Sequence, residues 1–270
     1  MVNVSARKTT APSTLHMWMV QARVIRALVL RETQTRYGRK NIGYLWALVE
    51  PLLLLAFFMT LFRYTGRLGG FHYNAVAFLA TGIITFLPLR SMISGLSAAT
   101  NANKGLLLYP QVTPLDAILA RTILYGATGL VVFFTVICGA WLAGLAPLPH
   151  DWLGVFEALG ALMILALGLG LVQHAALTMF PLSTHVIGPL WRLLFFTSCV
   201  FYTMHDLPMA AQGIISYNPI AHGIEMLRHA YFLGFESPIH SYAYMLSFAA
   251  VCLFGGLLVE RLYRYRDPRG

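Results

Sequence analysis

Residues 30–55 read "LRETQTRYGRKNIGYLWALVEPLLLL", and this stretch changes character halfway. Its first half carries Arg31, Arg36, Arg39 and Lys40; its second half is apolar, yet Glu50 and Pro51 sit inside it. A membrane-crossing helix needs about 20 mostly apolar residues, and such a run begins near residue 44. The segment ahead of it is of another kind. Over residues 15–36 the apolar side chains fall at 17, 18, 20, 24, 25, 28 and 29, which is helical spacing, while Arg23, Arg26 and Gln34 take a different face. A helix of that pattern lies in the membrane surface with its arginines toward anionic headgroups. It is either a plain anchor or an anchor that also touches a cytoplasmic partner.

Working outward, the same contrast recurs along the chain. Of its 270 residues 58% are hydrophobic and 11% charged, against roughly 25% charged in a soluble domain. Lipid is therefore the solvent for most of its surface, and the fold class is all-α integral membrane. Six spans can be drawn: about 44–63, 74–98, 118–143, 153–179, 186–204 and 241–260. The fifth is the weakest, because Gly188, Pro189 and Arg192 crowd its start. No long polar stretch is left for a second domain, so residues 1–270 read as one transmembrane unit. Its parts are an interfacial helix over 13–42, a six-span bundle over 44–263 and an outer re-entrant segment over 205–240.

Basic residues near the span ends set the orientation. Arg7, Lys8, Arg23, Arg26, Arg31, Arg36, Arg39 and Lys40 precede the first span with only Glu32 against them, and Arg261, Arg264, Arg266 and Arg269 follow the last. Both termini thus read as cytoplasmic, which requires an even number of spans. Arg63 and Arg67 run mildly against that reading. The formal net charge of +9 points to lipid headgroups, with no nucleic-acid partner. Cys138, Cys199 and Cys252 lie far apart in apolar surroundings and read as inert thiols. Met1 to Pro12 lacks the apolar core of a signal peptide.

Three further stretches carry candidate chemistry. "HDLPMAAQGIISYNPIAHGIEMLRHAYFLGF", from His205, is too polar to span and too apolar for an ordinary loop, and Pro208 and Pro219 cut it. Two short helices dipping into the outer leaflet fit it. Irregular backbone at that depth needs cover by protein or a cavity, so Tyr217, Asn218, Pro219, His222 and Glu225 are expected at an outer gate. His222, Glu225 and His229 would share a helix face, as metal ligands or as a polar stripe at an interface; no metal is expected. Arg90 lies well inside the second span and either snorkels or faces a polar cavity. Between spans two and three, Thr113, Pro114 and Asp116 make a helix start: a capping side chain, proline at the first helical position and an acid in the first turn. The preceding Asn103, Lys104, Gly105, Leu106, Leu107, Leu108 and Tyr109 form an unusually apolar cytoplasmic patch, expected to be a short coupling helix ending before Pro110. No GxxxxGK[ST] phosphate loop occurs, and none of the three lysines, Lys8, Lys40 and Lys104, belongs to one.

Three blocks together resemble one family. "LRETQTRYGRKNIGYLWALVEP", "NANKGLLLYPQVTPLDAILAR" and "YNPIAHGIEMLR" are similar, in that order and over nearly the whole chain, to ABC export permeases that move capsular polysaccharide, the KpsM-like group. They are similar, less closely, to the O-antigen permeases, and an O-antigen or teichoic-type polysaccharide permease is the alternative function. Gln111 stands where the pattern has a basic residue. The resemblance implies a non-catalytic permease of the bacterial inner membrane, working as a homodimer with two separate ATPase subunits that bind ATP and Mg. It implies a lipid-linked, usually anionic polysaccharide as cargo, and a periplasmic polysaccharide co-polymerase and an outer-membrane export protein as further partners. Tyr37, Tyr44, Trp46 and Glu50 would then line the cytoplasmic mouth of the conduit, with Arg90 further along it. Arg31, Glu32 and Asp116 would join the 103–109 segment in coupling to the ATPase.

Two other functions compete. An integral-membrane enzyme acting on lipid-linked sugars needs paired carboxylates or a metal at an interface, and the ten acids here are scattered. A secondary transporter would show broken helices in two related halves, and no such halves are visible.

Overall fold

The structure, a computed structural model, describes residues 14–37, 42–66, 73–103, 105, 112–180 and 182–266. Among these residues all regular structure is helical. α1 (Thr14–Tyr37) is followed by α2 (Ile42–Tyr64), α3 (Ala75–Ser97), the single turn α4 (Ala99–Ala102), α5 (Pro114–Leu142) and α6 (Trp152–Met179). α7 (Ser183–Thr197), α8 (Met209–Ile215), α9 (Pro219–Tyr231) and α10 (Tyr242–Arg266) complete the order. The helix starts are written in the sequence. Asn74, Asp151 and Asn218 each turn a side-chain oxygen onto an amide of the first turn of α3, α6 and α9, and Pro219 occupies the first position of α9.

Among the described residues five helices are long and apolar enough to cross a membrane: α2, α3, α5, α6 and α10. The segment expected as a sixth span, 186–204, is instead the 15-residue α7 followed by an irregular stretch through Thr203. At 1.5 Å per residue α7 is about 22 Å long, short of the roughly 30 Å hydrocarbon layer. The residues that weakened it in the sequence are not what shortens it. Gly188, Pro189 and Arg192 all lie within the helix, and the break comes after Thr197, where Cys199 takes a left-handed φ of 57°. The 205–240 insert folds as two short helices, α8 and α9, after a 3-10 turn over Met204–Asp206.

α3 is the most buried of the long helices, while α2 and α10 are the least. α3 packs on α5, α6, α2 and α9, and α10 lies along α6. The α6–α10 seam depends on small residues. A Cβ on Gly168 would come within 2.8 Å of the Ala249 carbonyl, and one on Gly256 within 2.6 Å of Leu171 Cβ. Such close backbone approach is how helices gain packing energy where lipid supplies no hydrophobic drive between them.

The break after α7 creates carbonyls without helical partners, and Arg228 of α9 supplies them. Its guanidinium is wholly buried. It donates to the carbonyls of Cys199 (2.5 Å), Val200 (2.8 Å) and Tyr202 (3.1 Å), with the Phe78 carbonyl at 3.3 Å. Glu225, one turn back on α9, balances the charge at 3.2 Å, and the Phe78 ring lies 3.7 Å from the guanidinium carbon. Gly82 leaves room for this crossing, because a Cβ there would meet the Val200 carbonyl at 2.5 Å. Arg228→Ala leaves Glu225 and the 199–202 carbonyls unpaired, and removing one partner of a buried pair costs about 3–5 kcal/mol. The expected outcome is a marked loss of monodisperse protein in detergent size-exclusion. Arg228→Lys recovers only part of it, because one ammonium cannot span the carbonyls that a planar fork reaches.

Candidate functional site

The end of the bundle at which α5 starts is held by a polar seam between α1 and α5. α5 begins with the capping box read from the sequence: Thr113 Oγ1 accepts from the Asp116 amide, and the Asp116 carboxylate accepts from the Thr113 amide at 2.8 Å. The second oxygen of Asp116 accepts from Gln21 of α1. One turn on, Arg121 forms an ion pair with Glu32 of α1 and donates to the Gly95 carbonyl at 2.5 Å. Arg31 donates to Asn103 Oδ1 at 2.6 Å, and the guanidinium of Arg36 lies 3.6 Å over the Tyr125 ring. Gly95 makes room for that ring, since a Cβ would fall 2.2 Å from Tyr125 Cζ.

The expected coupling residues are thus partly spent inside the chain. Glu32, Asn103 and Asp116 are buried and paired within it, because an acid or amide at this depth must find a donor. Arg31 and Gly105 are exposed. Asn103 closes the turn after α4, and Lys104 and Leu106 to Tyr109 lie outside the described residues, so the expected coupling helix does too. Gln21, Arg121 and Tyr125 were missed. Arg121 was visible as a lone cation near the start of a span, a position that asks for an acidic partner.

Between α1, α2, α3 and α5 opens a cavity of about 310 Å³, with Arg36, Trp46, Glu50, Ser91, Tyr125 and Thr128 among its lining residues. Two of the expected path residues, Trp46 and Glu50, meet there, and both are exposed. Pro51, buried behind Glu50, lies within α2. Arg90 is half-buried on α3 and is not part of that lining. Among the described residues no ion pair joins it to Glu50. The side chains of Tyr37 and Tyr44 lie outside the described residues.

At the opposite end, around α8 and α9, only Tyr217 of the expected gate residues is exposed. Asn218 caps α9 and donates to the Thr197 carbonyl (3.2 Å) and Ser198 Oγ (2.9 Å). Pro219 is buried at the start of α9. His222 Nε2 bonds the Ser216 carbonyl at 2.8 Å, and Glu225 faces Arg228. The shared face expected for His222, Glu225 and His229 is divided among different neighbours: His229 is exposed and stacks on His240 at 5.0 Å. Among the described residues no cluster suited to a metal occurs.

The sequence pattern of the ABC-2 type transporter family matches residues 23–232. The polysialic acid transport protein KpsM of Escherichia coli is 32% identical over 248 residues, covering 92% of this chain and 95% of that protein. The capsule polysaccharide export inner-membrane protein BexB of Haemophilus influenzae is 32% identical, covering 97% and 98%. CtrC of Neisseria meningitidis serogroup A, another capsule polysaccharide export inner-membrane protein, is 33% identical, covering 95% and 97%.

The α1–α5 seam is testable by itself. Glu32→Ala strands the Arg121 guanidinium, and loss of one partner of such a pair costs about 3–5 kcal/mol where it is desolvated. Amide exchange over Thr14–Tyr37 is expected to rise. The double change Glu32→Met with Arg121→Leu is expected to cost less than either single truncation, because it leaves no charge unpaired.

Proposed function

The chain belongs to the ABC-2 type transporter family, and from that premise we propose that it is the permease subunit of an exporter of capsular polysaccharide. In this reading two copies form the conduit, and two separate ATPase subunits bind ATP and Mg and drive it. The cargo is a lipid-linked anionic polymer, handed to a periplasmic co-polymerase and an outer-membrane export protein. The chain itself is non-catalytic and sits in the bacterial inner membrane with both termini cytoplasmic. α7 and the irregular stretch after it make the sixth crossing that this orientation needs. An O-antigen or teichoic-type polymer is the neighbouring alternative.

The observation that carries this reading is likeness along nearly the full length of relatives named for capsule or polysialic acid transport. The geometry supports it in two respects. The cavity beside Trp46 and Glu50 offers rings, a carboxylate and hydroxyls at the cytoplasmic end, suited to sugar stacking and hydrogen bonding. α1 is braced on α5, and Arg31, which donates to Asn103, and Gly105 are both exposed. Tyr217 is the outer-gate residue that a second copy could reach.

Export and ATPase capture test this directly. Deleting the chain in its own host is expected to abolish surface polymer, and the purified chain is expected to bring an ATPase with it. Leu107→Asp with Leu108→Asp places charge in the coupling contact, at roughly several kcal/mol for unpaired burial; ATPase capture and export should both fall. A cysteine at Tyr217 is expected to cross-link to the second copy in the resting transporter.

A further inference from the structure

The structure assigns an anion-contacting role at the middle of the membrane to Arg192 of α7. This inference rests on the exporter reading above. Arg192 stands nine residues after Ser183, where α7 starts, about 14 Å along the helix axis. That is near the midplane of a roughly 30 Å hydrocarbon layer. Its neighbour Trp191 joins two levels: its ring contacts Phe86, the midpoint of α3 (Ala75–Ser97), at 6.0 Å, and it donates to Gln173, which reaches Ser97 at the end of α3. Arg192 thus stands between the midplane and that end.

α7 is fixed by one face only. Trp191 is buried and donates to Gln173 Oε1 of α6 at 3.1 Å, and Phe195 packs on Phe58, Phe86 and Phe201. The opposite face, with Val186, Pro189, Leu190, Leu193 and Phe196, is exposed, and Arg192 belongs to it. Among the described residues Arg192 has no hydrogen-bond or ion-pair partner. A guanidinium at this depth is too far from either surface to reach it easily and is costly against lipid, so it faces water, an anion or another polypeptide. Glu50, also on an exposed helix face, stands eight residues after Ile42, about 12 Å along α2, and a bridge to it, within the chain or from a second copy, is the outcome that the charge swap below detects. The occupant that the free face suits is the cargo: carboxylates or phosphates of an acidic polymer, which a planar guanidinium can grip in bidentate fashion. We propose that the free face of α7 is a wall of the conduit and that Arg192 is the charge along which an anionic polymer passes.

The test replaces the charge chemically in the assembled transporter. Arg192→Cys is expected to lower export per folded complex by about tenfold or more, the loss of one charge-assisted contact. Treatment with aminoethyl methanethiosulfonate then restores much of it. The thiolate displaces methanesulfinate and leaves a mixed disulfide bearing an ammonium group. The sulfonatoethyl reagent adds a negative charge instead and restores nothing. The parent chain with the same reagents controls for Cys138, Cys199 and Cys252. Val251→Cys on the exposed face of α10 is the lipid-facing control and is expected to resist both reagents. Arg192→Lys is expected to export better than Arg192→Gln. The inference is overturned if Arg192→Gln exports as the parent does or no worse than Arg192→Lys. It is equally overturned if Arg192→Cys is untouched by aqueous reagent, or if Glu50→Arg with Arg192→Glu restores export as a structural pair would. A parent chain that neither exports nor captures an ATPase would instead bring down the permease reading.

Discussion

Backbone polar groups at membrane depth must be satisfied inside the protein, because no water is there to do it, and Arg228 is where this fold meets that demand. α7 stops about one and a half turns short of a full crossing, and the chain runs on through Ser198–Thr203 without helical hydrogen bonds. One guanidinium collects the carbonyls of Cys199, Val200 and Tyr202. The charge this brings into the interior is offset by Glu225 and by the face of Phe78. Asn218, at the start of the same helix, takes the Thr197 carbonyl and Ser198 Oγ. Both sides of the break are therefore stitched to α9. The re-entrant insert is less an appendage on the outer surface than the part that lets α7 end early.

The other polar seams follow the same logic at different depths. Near the end of α3 Ser97, Gln173, His174 and Trp191 tie α3, α6 and α7 together: Gln173 donates to Ser97 Oγ at 2.9 Å and accepts from Trp191, and His174 Nδ1 meets the Ser97 carbonyl at 2.9 Å. Asp116, Arg121, Glu32 and Gln21 bind α1 to the start of α5. Side-chain hydrogen bonds between membrane helices contribute on the order of 0.6 kcal/mol each. Their value here is in register: each one fixes the height of a neighbouring helix that apolar contacts alone would let slide.

The long helices were legible because length, apolarity and capping residues are local properties. α2, α3, α5, α6 and α10 all begin and end within a few residues of the spans drawn from the sequence, and Thr113–Asp116 forms the box its spacing promised. The end of α7 was not legible, because its composition says membrane while that end is set by a long-range contact: nothing within 186–204 announces that Arg228 will substitute for the missing turns. The surroundings of the expected site residues were hidden for the same reason. Glu225 and His222 look like a functional stripe in the sequence. Only the fold reveals that Glu225 balances Arg228 and that His222 closes the turn at Ser216. Of the arginines within spans the sequence singled out Arg90, whereas Arg192 entered only as one of the residues crowding the start of its span.

Burial separates bracing from function among the arginines of the bundle. Arg228 and Arg121 are both buried and both have an acid and carbonyls within reach; their charge is consumed by the fold, and another anion has nothing to gain there. Arg192 also lies within the bundle's depth, but on an exposed face, on a helix held from behind by Trp191 and Phe195. A helix so fixed presents its cation at a defined height without letting it swing to either surface. Rigid mounting of an unpaired charge lowers the reorganisation needed when an anion arrives, which is the same advantage that preorganised dipoles hold over water. The tight α9–α7 stitching therefore has a consequence beyond stability: by ending α7 early and clamping the 198–203 stretch, it fixes the height at which the proposed conduit wall presents Arg192.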